Sequence, residues 1–242
     1  MGAVAVLLLL LVALGLNLTL APDEGERVGE VRAQTAFDGA RAYTHAEALV
    51  ALGPRPPGSE GAAAARAYVA ETLKGLRLLP NPVPHAAPAH VSLYAEAAGQ
   101  RPGIIIVAAP YTTAPGVDTG GANVAAAPAG WLLELARVVG RRPPGMSVGF
   151  AWLSDMAEDA QGGAEALARW LDETGRTPRV HSVVQVELIG DCYLSIAADA
   201  EAPPAQREAL WDTVQRQGYS DHFGRMPQRV RETPLALRKA GL

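Results

Sequence analysis

The chain has 242 residues, 49% of them hydrophobic, which is enough to bury one substantial core and, by length, favours one domain over two. Its 21 basic and 25 acidic residues leave a formal net charge of −4 with no run of like charges, so the basic footprint of a phosphate-backbone binder is absent and no nucleic-acid partner is expected. The single cysteine, Cys192, excludes an internal disulfide and a thiolate metal cluster, and it reads as a small buried residue near a strand end.

Residues 1–21, MGAVAVLLLLLVALGLNLTLA, carry an apolar run from Ala3 to Ala21, and the polar stretch PDEGERVGEVR follows at once. The run is intermediate in length between a signal-peptide core and a membrane-spanning helix. A cleaved signal peptide and an uncleaved anchor both fit it. Thr19 and Ala21 suit a cleavage site, whereas Pro22 and the lack of a preceding Lys or Arg do not. Either way, residues 22–36 form a linker and residues 37–242 are expected outside the cytoplasm, secreted, periplasmic or anchored, with membrane contact only through the leader.

Asp38 to Leu52 predicts a helix with an N-cap aspartate and a stop at Gly53. The prolines of GPRPPGS force a loop, after which Ser59 caps a second helix running to about Leu76, with Val69, Leu73 and Leu76 as its apolar stripe. A proline-rich connection precedes HVSLYAEA, whose alternation predicts a strand with one exposed face at a sheet edge. Gly103 to Ala109, GIIIVAA, is a continuous β-branched run suited to a strand covered on both faces. Residues 125–139 predict a helix, MSVGFAWL a buried strand, AEALARWLDE a helix, HSVVQVELIG a fourth strand and PPAQREALWDTVQRQG a helix. Alternating strands and helices imply an α/β fold with a mostly parallel sheet and helices on both faces, and they place any chemistry beyond the strand ends after Ala109, Leu153 and Val186.

The blocks ALGPRPPGSEGAAAARAYVAETLKGL, IIIVAAPYT, GGANVAAAPAGWLLELARVV, VGFAWLSDMAEDAQGGAEAL and VVQVELIGD, taken in order, resemble the zinc aminopeptidase and glutaminyl cyclase family from about Phe37 to Leu242. The resemblance implies a central twisted mixed sheet and a zinc site at the strand ends, held by His, Asp and Glu, with a Glu as general base. It also implies a final strand carrying a last histidine after RETPLALRKAGL, and the sequence stops at Leu242, so that strand is expected to be missing. Pro128 leans toward the cyclase branch.

Set against the family's pattern, the ligand and base positions carry other residues. Pro110, Tyr111 and Thr112 replace His-Tyr-Asp, and Gly121, Ala122, Asn123 and Val124 replace Gly-Ala-Asn-Asp. Ser154, Asp155, Met156 and Ala157 replace Asp-Gly-Glu-Glu, which puts Met156 at the general-base position and Ala157 at a ligand position. Glu187 alone keeps a carboxylate where the family has Asp. Catalytic zinc needs three protein ligands and an open position, so no bound zinc, no other cofactor and no catalytic residue are expected. A residual site would have to be built from Glu187, Asp155 and Asp118, with Glu158 and Asp159 nearby, whereas acidic loop residues are ordinarily only solvated. The five histidines show no ligand spacing, no serine has a GxSxG setting, and the four tryptophans read as packing residues. The expected function is that of an exported, inactive relative which binds peptide N-termini or a protein partner. The alternatives are an active zinc enzyme with a non-standard ligand set, and a truncated gene product.

Overall fold

The computed structural model describes residues 36–116, 119–154, 162–200 and 202–228. The leader, and with it the reading of residues 1–35, lies outside the described residues, as do residues 229–242. Among the described residues no helix is long and apolar enough to cross a membrane.

Helix α1 (Gly39–Ala51) begins where the Asp38 carboxylate accepts hydrogen bonds from the N–H groups of Ala40 and Arg41 at 2.9 and 3.4 Å. Helix α2 (Glu60–Gly75) begins where Ser59 Oγ accepts from Ala62 N–H at 3.1 Å. Strands β1 (Asn81–Pro84), β2 (Val91–Ala97) and β3 (Arg101–Pro110) follow, then a π-helical turn (Ala122–Ala126) that runs into α3 (Ala127–Gly140). Strand β4 (Met146–Leu153), α4 (Gly162–Glu173), β5 (Val180–Gln185), β6 (Ile196–Asp199), α5 (Pro204–Arg216) and β7 (Phe223–Gln228) complete the described chain.

Five strands form one mixed sheet in the order β1-β2-β4-β3-β5, with β3 parallel to β4 and β5, and β2 antiparallel to β1 and β4. The two-residue period of β3 divides its side chains between two cores. Ile105 and Val107 face Leu49, Leu73, Leu132 and Leu133 of α1, α2 and α3, whereas Ile104 and Ile106 face Leu167 and Leu171 of α4. Helices α1 and α3 come close at Gly130, where an added Cβ would lie 2.7 Å from both Ala42 O and Ala46 N. Trp131 and Trp152 are buried, and the Trp152 indole N–H donates to Ala129 O at 3.2 Å.

Three expectations need correction. HVSLYAEA is not an edge strand: β2 lies inside the sheet, because Asn81–Pro84, read as part of a proline-rich connection, pairs with it and takes the edge. Prolines are tolerated there because the outer N–H of an edge strand needs no partner. The fourth strand stops at Gln185, so Glu187 belongs to the loop beyond it. Cys192 is exposed on that same loop rather than buried. Strands β6 and β7 were not anticipated. They pair parallel in a two-stranded sheet of their own, around a small cluster of Val214 and Phe223, with the Trp211 and Phe223 rings edge to face at 5.7 Å.

Candidate functional site

The carboxyl ends of β3, β4 and β5 meet at one edge of the sheet. Strand β3 ends at Pro110, and the Tyr111, Thr112 and Thr113 that follow are buried. The loop between α1 and α2 is tied to this segment by Arg55, which is 0% exposed. Its guanidinium donates to Tyr111 O at 3.2 Å, Leu49 O at 2.6 Å and Gly53 O at 2.8 Å, while its backbone N–H donates to Thr113 Oγ1 at 2.8 Å. Burial pulls the Arg55 side chain down to about 10. Bonds to Leu49 O and Gly53 O place the cation at the negative end of α1, which offsets part of the desolvation cost. Burial likewise pushes the Tyr111 hydroxyl up, and that hydroxyl donates to Val91 O at 2.6 Å.

A second group of polar side chains sits beside β4. Ser154, just after the strand, donates its N–H to the fully buried Ser92 Oγ at 2.9 Å, and Ser92 Oγ lies 2.8 Å from His85 Nε2. The His90 ring stands edge-on to His85 at 6.1 Å. Burial, reinforced by His90 and Arg169, depresses His85 to about 4, so it is neutral at physiological pH. A serine beside a neutral imidazole has the geometry of a nucleophile and its base, yet Ser92 is 0% exposed. The network therefore ties β2 to β4 and to the residues between β1 and β2. Sequence reading missed it because its members are brought together by strand register, not by a spacing motif.

The third part is the turn into α3. Gly120 and Gly121 take left-handed φ values of 58° and 56°, and at Gly121 a Cβ would lie 2.5 Å from Thr113 Cγ2. The turn carries Asn123 and Val124 to the edge. Asn123 Oδ1 accepts from Gly190 N–H at 2.7 Å, which links this turn to the loop after β5. On that loop Glu187 is exposed and accepts from Gln185 Nε2. Leu188 follows with φ 53°, a left-handed conformation that bulky side chains rarely adopt, and its side chain is 53% exposed. Because Val186 N–H donates to Ala108 O at 2.8 Å, Glu187 and Pro110 leave the sheet side by side.

Pro110, Val124 and Glu187 thus share one edge with Ser154, while Asp118, Asp155, Met156, Ala157, Glu158 and Asp159 lie outside the described residues. Histidines 45, 181 and 222 are elsewhere: His45 Nδ1 pairs with the Tyr68 hydroxyl at 2.6 Å on the α1 and α2 side.

No family model and no curated protein matches the sequence. Solved structures do match. A glutaminyl cyclase from an Acidobacteriales bacterium is 22% identical over 92% of this chain and 80% of its own, with a TM-score of 0.76. The Porphyromonas gingivalis glutaminyl cyclase is 19% identical over 84% of this chain and 80% of its own, with a TM-score of 0.71. A leucine aminopeptidase precursor from Bacteroides thetaiotaomicron is 18% identical over 84% of this chain and 82% of its own, at 0.69. The chain has the glutaminyl cyclase and zinc exopeptidase fold. Zinc is the metal this fold implies, and the described residues fit it poorly. Pro110 and Val124 have hydrocarbon side chains, the Asn123 oxygen is engaged by Gly190, and among the described residues no three His, Cys, Asp or Glu side chains converge. Among the inherited ligand positions that the structure describes, Glu187 alone carries a carboxylate, which is too few donors for a catalytic zinc ion.

Proposed function

We propose that the protein is a non-catalytic member of the glutaminyl cyclase and zinc exopeptidase fold group, exported by its N-terminal segment and acting by binding a peptide or protein partner. The observation that supports this reading is the chemistry of the inherited positions: proline and valine at the ends of β3 and in the turn before α3 offer a metal no donor. If each lost ligand removes a few of the roughly 10–16 kcal/mol that hold a structural zinc ion, one remaining carboxylate retains no useful affinity. Met156 and Ala157, by sequence, take away the general base and a further ligand. Residual recognition of peptide N-termini would fall to Glu187, whose carboxylate stands beside exposed Leu188.

The test is to express the domain with its linker, dialyse it against micromolar zinc, measure bound metal by elemental analysis, and assay aminoacyl and N-terminal glutaminyl substrates. The expected result is folded protein with neither stoichiometric zinc nor turnover. Stoichiometric zinc with turnover abolished by Glu187→Ala would overturn the reading and establish a rebuilt active site.

A further inference from the structure

We infer that the groove between α2 and the β1–β2 end of the sheet binds a medium-chain carboxylate, an aliphatic acid whose carboxylate pairs with Arg66. The groove has a volume of about 330 Å³. Its walls are hydrocarbon: Ala63, Ala67 and Ala70 of α2 on one side, and Pro80, Pro82 and Leu93, before and within β1 and β2, on the other. Ala63 and Ala67 are exposed helix positions, where long polar side chains are the usual occupants, and their small size leaves the space open.

Two cationic side chains line the groove, and they differ. Lys74 is exposed and already paired with Glu71 at 2.6 Å. Arg66 is half-buried, and among the described residues no carboxylate lies within ion-pair distance of it. Its neighbour is the Tyr111 hydroxyl, whose ionised form it favours. A guanidinium partly withdrawn from water and lacking a counter-charge attracts a carboxylate strongly, because its planar fork can donate two parallel hydrogen bonds to the two oxygens. Tyr111 follows β3, so this charged end of the groove lies beside the edge where β3 and β4 finish, whereas Lys74 stands about two turns further along α2.

The lining also selects the rest of the ligand. Pro80 and Pro82 have no backbone N–H, and the alanine, proline and leucine side chains around the two cations offer neither donor nor acceptor. A peptide laid there would gain little from its amide groups. A methylene chain needs no such partners and contributes in proportion to the area it removes from water. At about 30 Å³ for each solvent-sized group, the groove accommodates on the order of ten non-hydrogen atoms, the size of octanoate. The inference concerns α2 and the β1–β2 end of the sheet and not the metal positions, so it stands or falls separately from the loss of zinc and turnover.

The test titrates the full chain with sodium octanoate by isothermal calorimetry, below micelle-forming concentrations, with butyrate, 1-octanol and N-acetylleucine as comparison probes. Equimolar binding of octanoate is expected, with affinity rising about two- to fourfold per methylene from butyrate upward. 1-Octanol, which has no charge to offer Arg66, is expected to bind about tenfold more weakly or worse. Arg66→Gln should weaken octanoate binding by about tenfold or more. Ala63→Glu, at an exposed position three residues before Arg66, keeps the arginine and supplies the absent carboxylate from within the helix, so it should weaken binding to a similar extent at an unchanged melting temperature. Equal affinity for 1-octanol, octanoate binding that both variants retain, or tighter binding of N-acetylleucine would each overturn the inference, the last by assigning the groove to the end of a peptide. Absence of binding at millimolar octanoate would overturn it as well, and is the result if another part of this chain or a second copy occupies the groove.

Discussion

The Glu134 and Arg137 pair gives the sharpest test of how the entry of the chain is held. Both belong to α3, and Glu134 is 0% exposed while Arg137 is 8% exposed. Arg137 donates to the carboxylate from Nε at 2.7 Å and from Nη2 at 2.6 Å, and Nη2 also donates to Ala36 O at 2.8 Å. Glu134 Oε1 accepts in addition from Asp38 N–H at 2.8 Å. The pair therefore fastens residues 36–38 to α3 and sets the start of α1. Glu134→Ala leaves a guanidinium buried without its carboxylate and an amide without its acceptor, the situation in which removing one partner of a buried pair costs about 3–5 kcal/mol. Replacing both, as Glu134→Leu with Arg137→Met, removes the uncompensated charge and should recover most of that loss. Urea denaturation of the wild type, the two single variants and the double variant measures the cycle at fixed pH. A cost below about 1 kcal/mol for Glu134→Ala, or a double variant no better than the single, would refute the claim that charge burial dominates here.

Other outcomes follow from the same geometry. His85 is depressed from 6.5 to about 4, so its neutral form is the one the fold accommodates; stability is fully present above pH 6.5 and falls as pH drops from there toward 4, and His85→Gln should flatten that part of a urea-midpoint profile. Leu188→Gly relieves a left-handed φ at an exposed position and should stabilise by about 1 kcal/mol, while Leu188→Ile should destabilise, both read by thermal unfolding. Gly149→Ala would drive a Cβ to within 2.5 Å of the Tyr94 hydroxyl inside the sheet, with an expected loss of about 1–3 kcal/mol by denaturant titration.

Local chemistry made much of the fold legible. Asp38 and Ser59 announce helix starts because a short side-chain oxygen is the cheapest partner for an orphan N–H, and both do cap in the structure. The Ile104–Ala109 run identifies a central strand because no polar residue interrupts it, and its residues are fully buried. The misreadings occurred where neighbours decide. Asn81–Pro84 is a strand only because β2 offers it an edge, and β6 and β7 are too short to carry a period. The candidate site divides in the same way. What Pro110 and Val124 lack is readable from their side chains alone, without coordinates. That Arg55 fastens the α1 to α2 loop, that Ser154 reaches Ser92 and His85, and that Asn123 binds the loop carrying Glu187 all depend on which strands lie side by side.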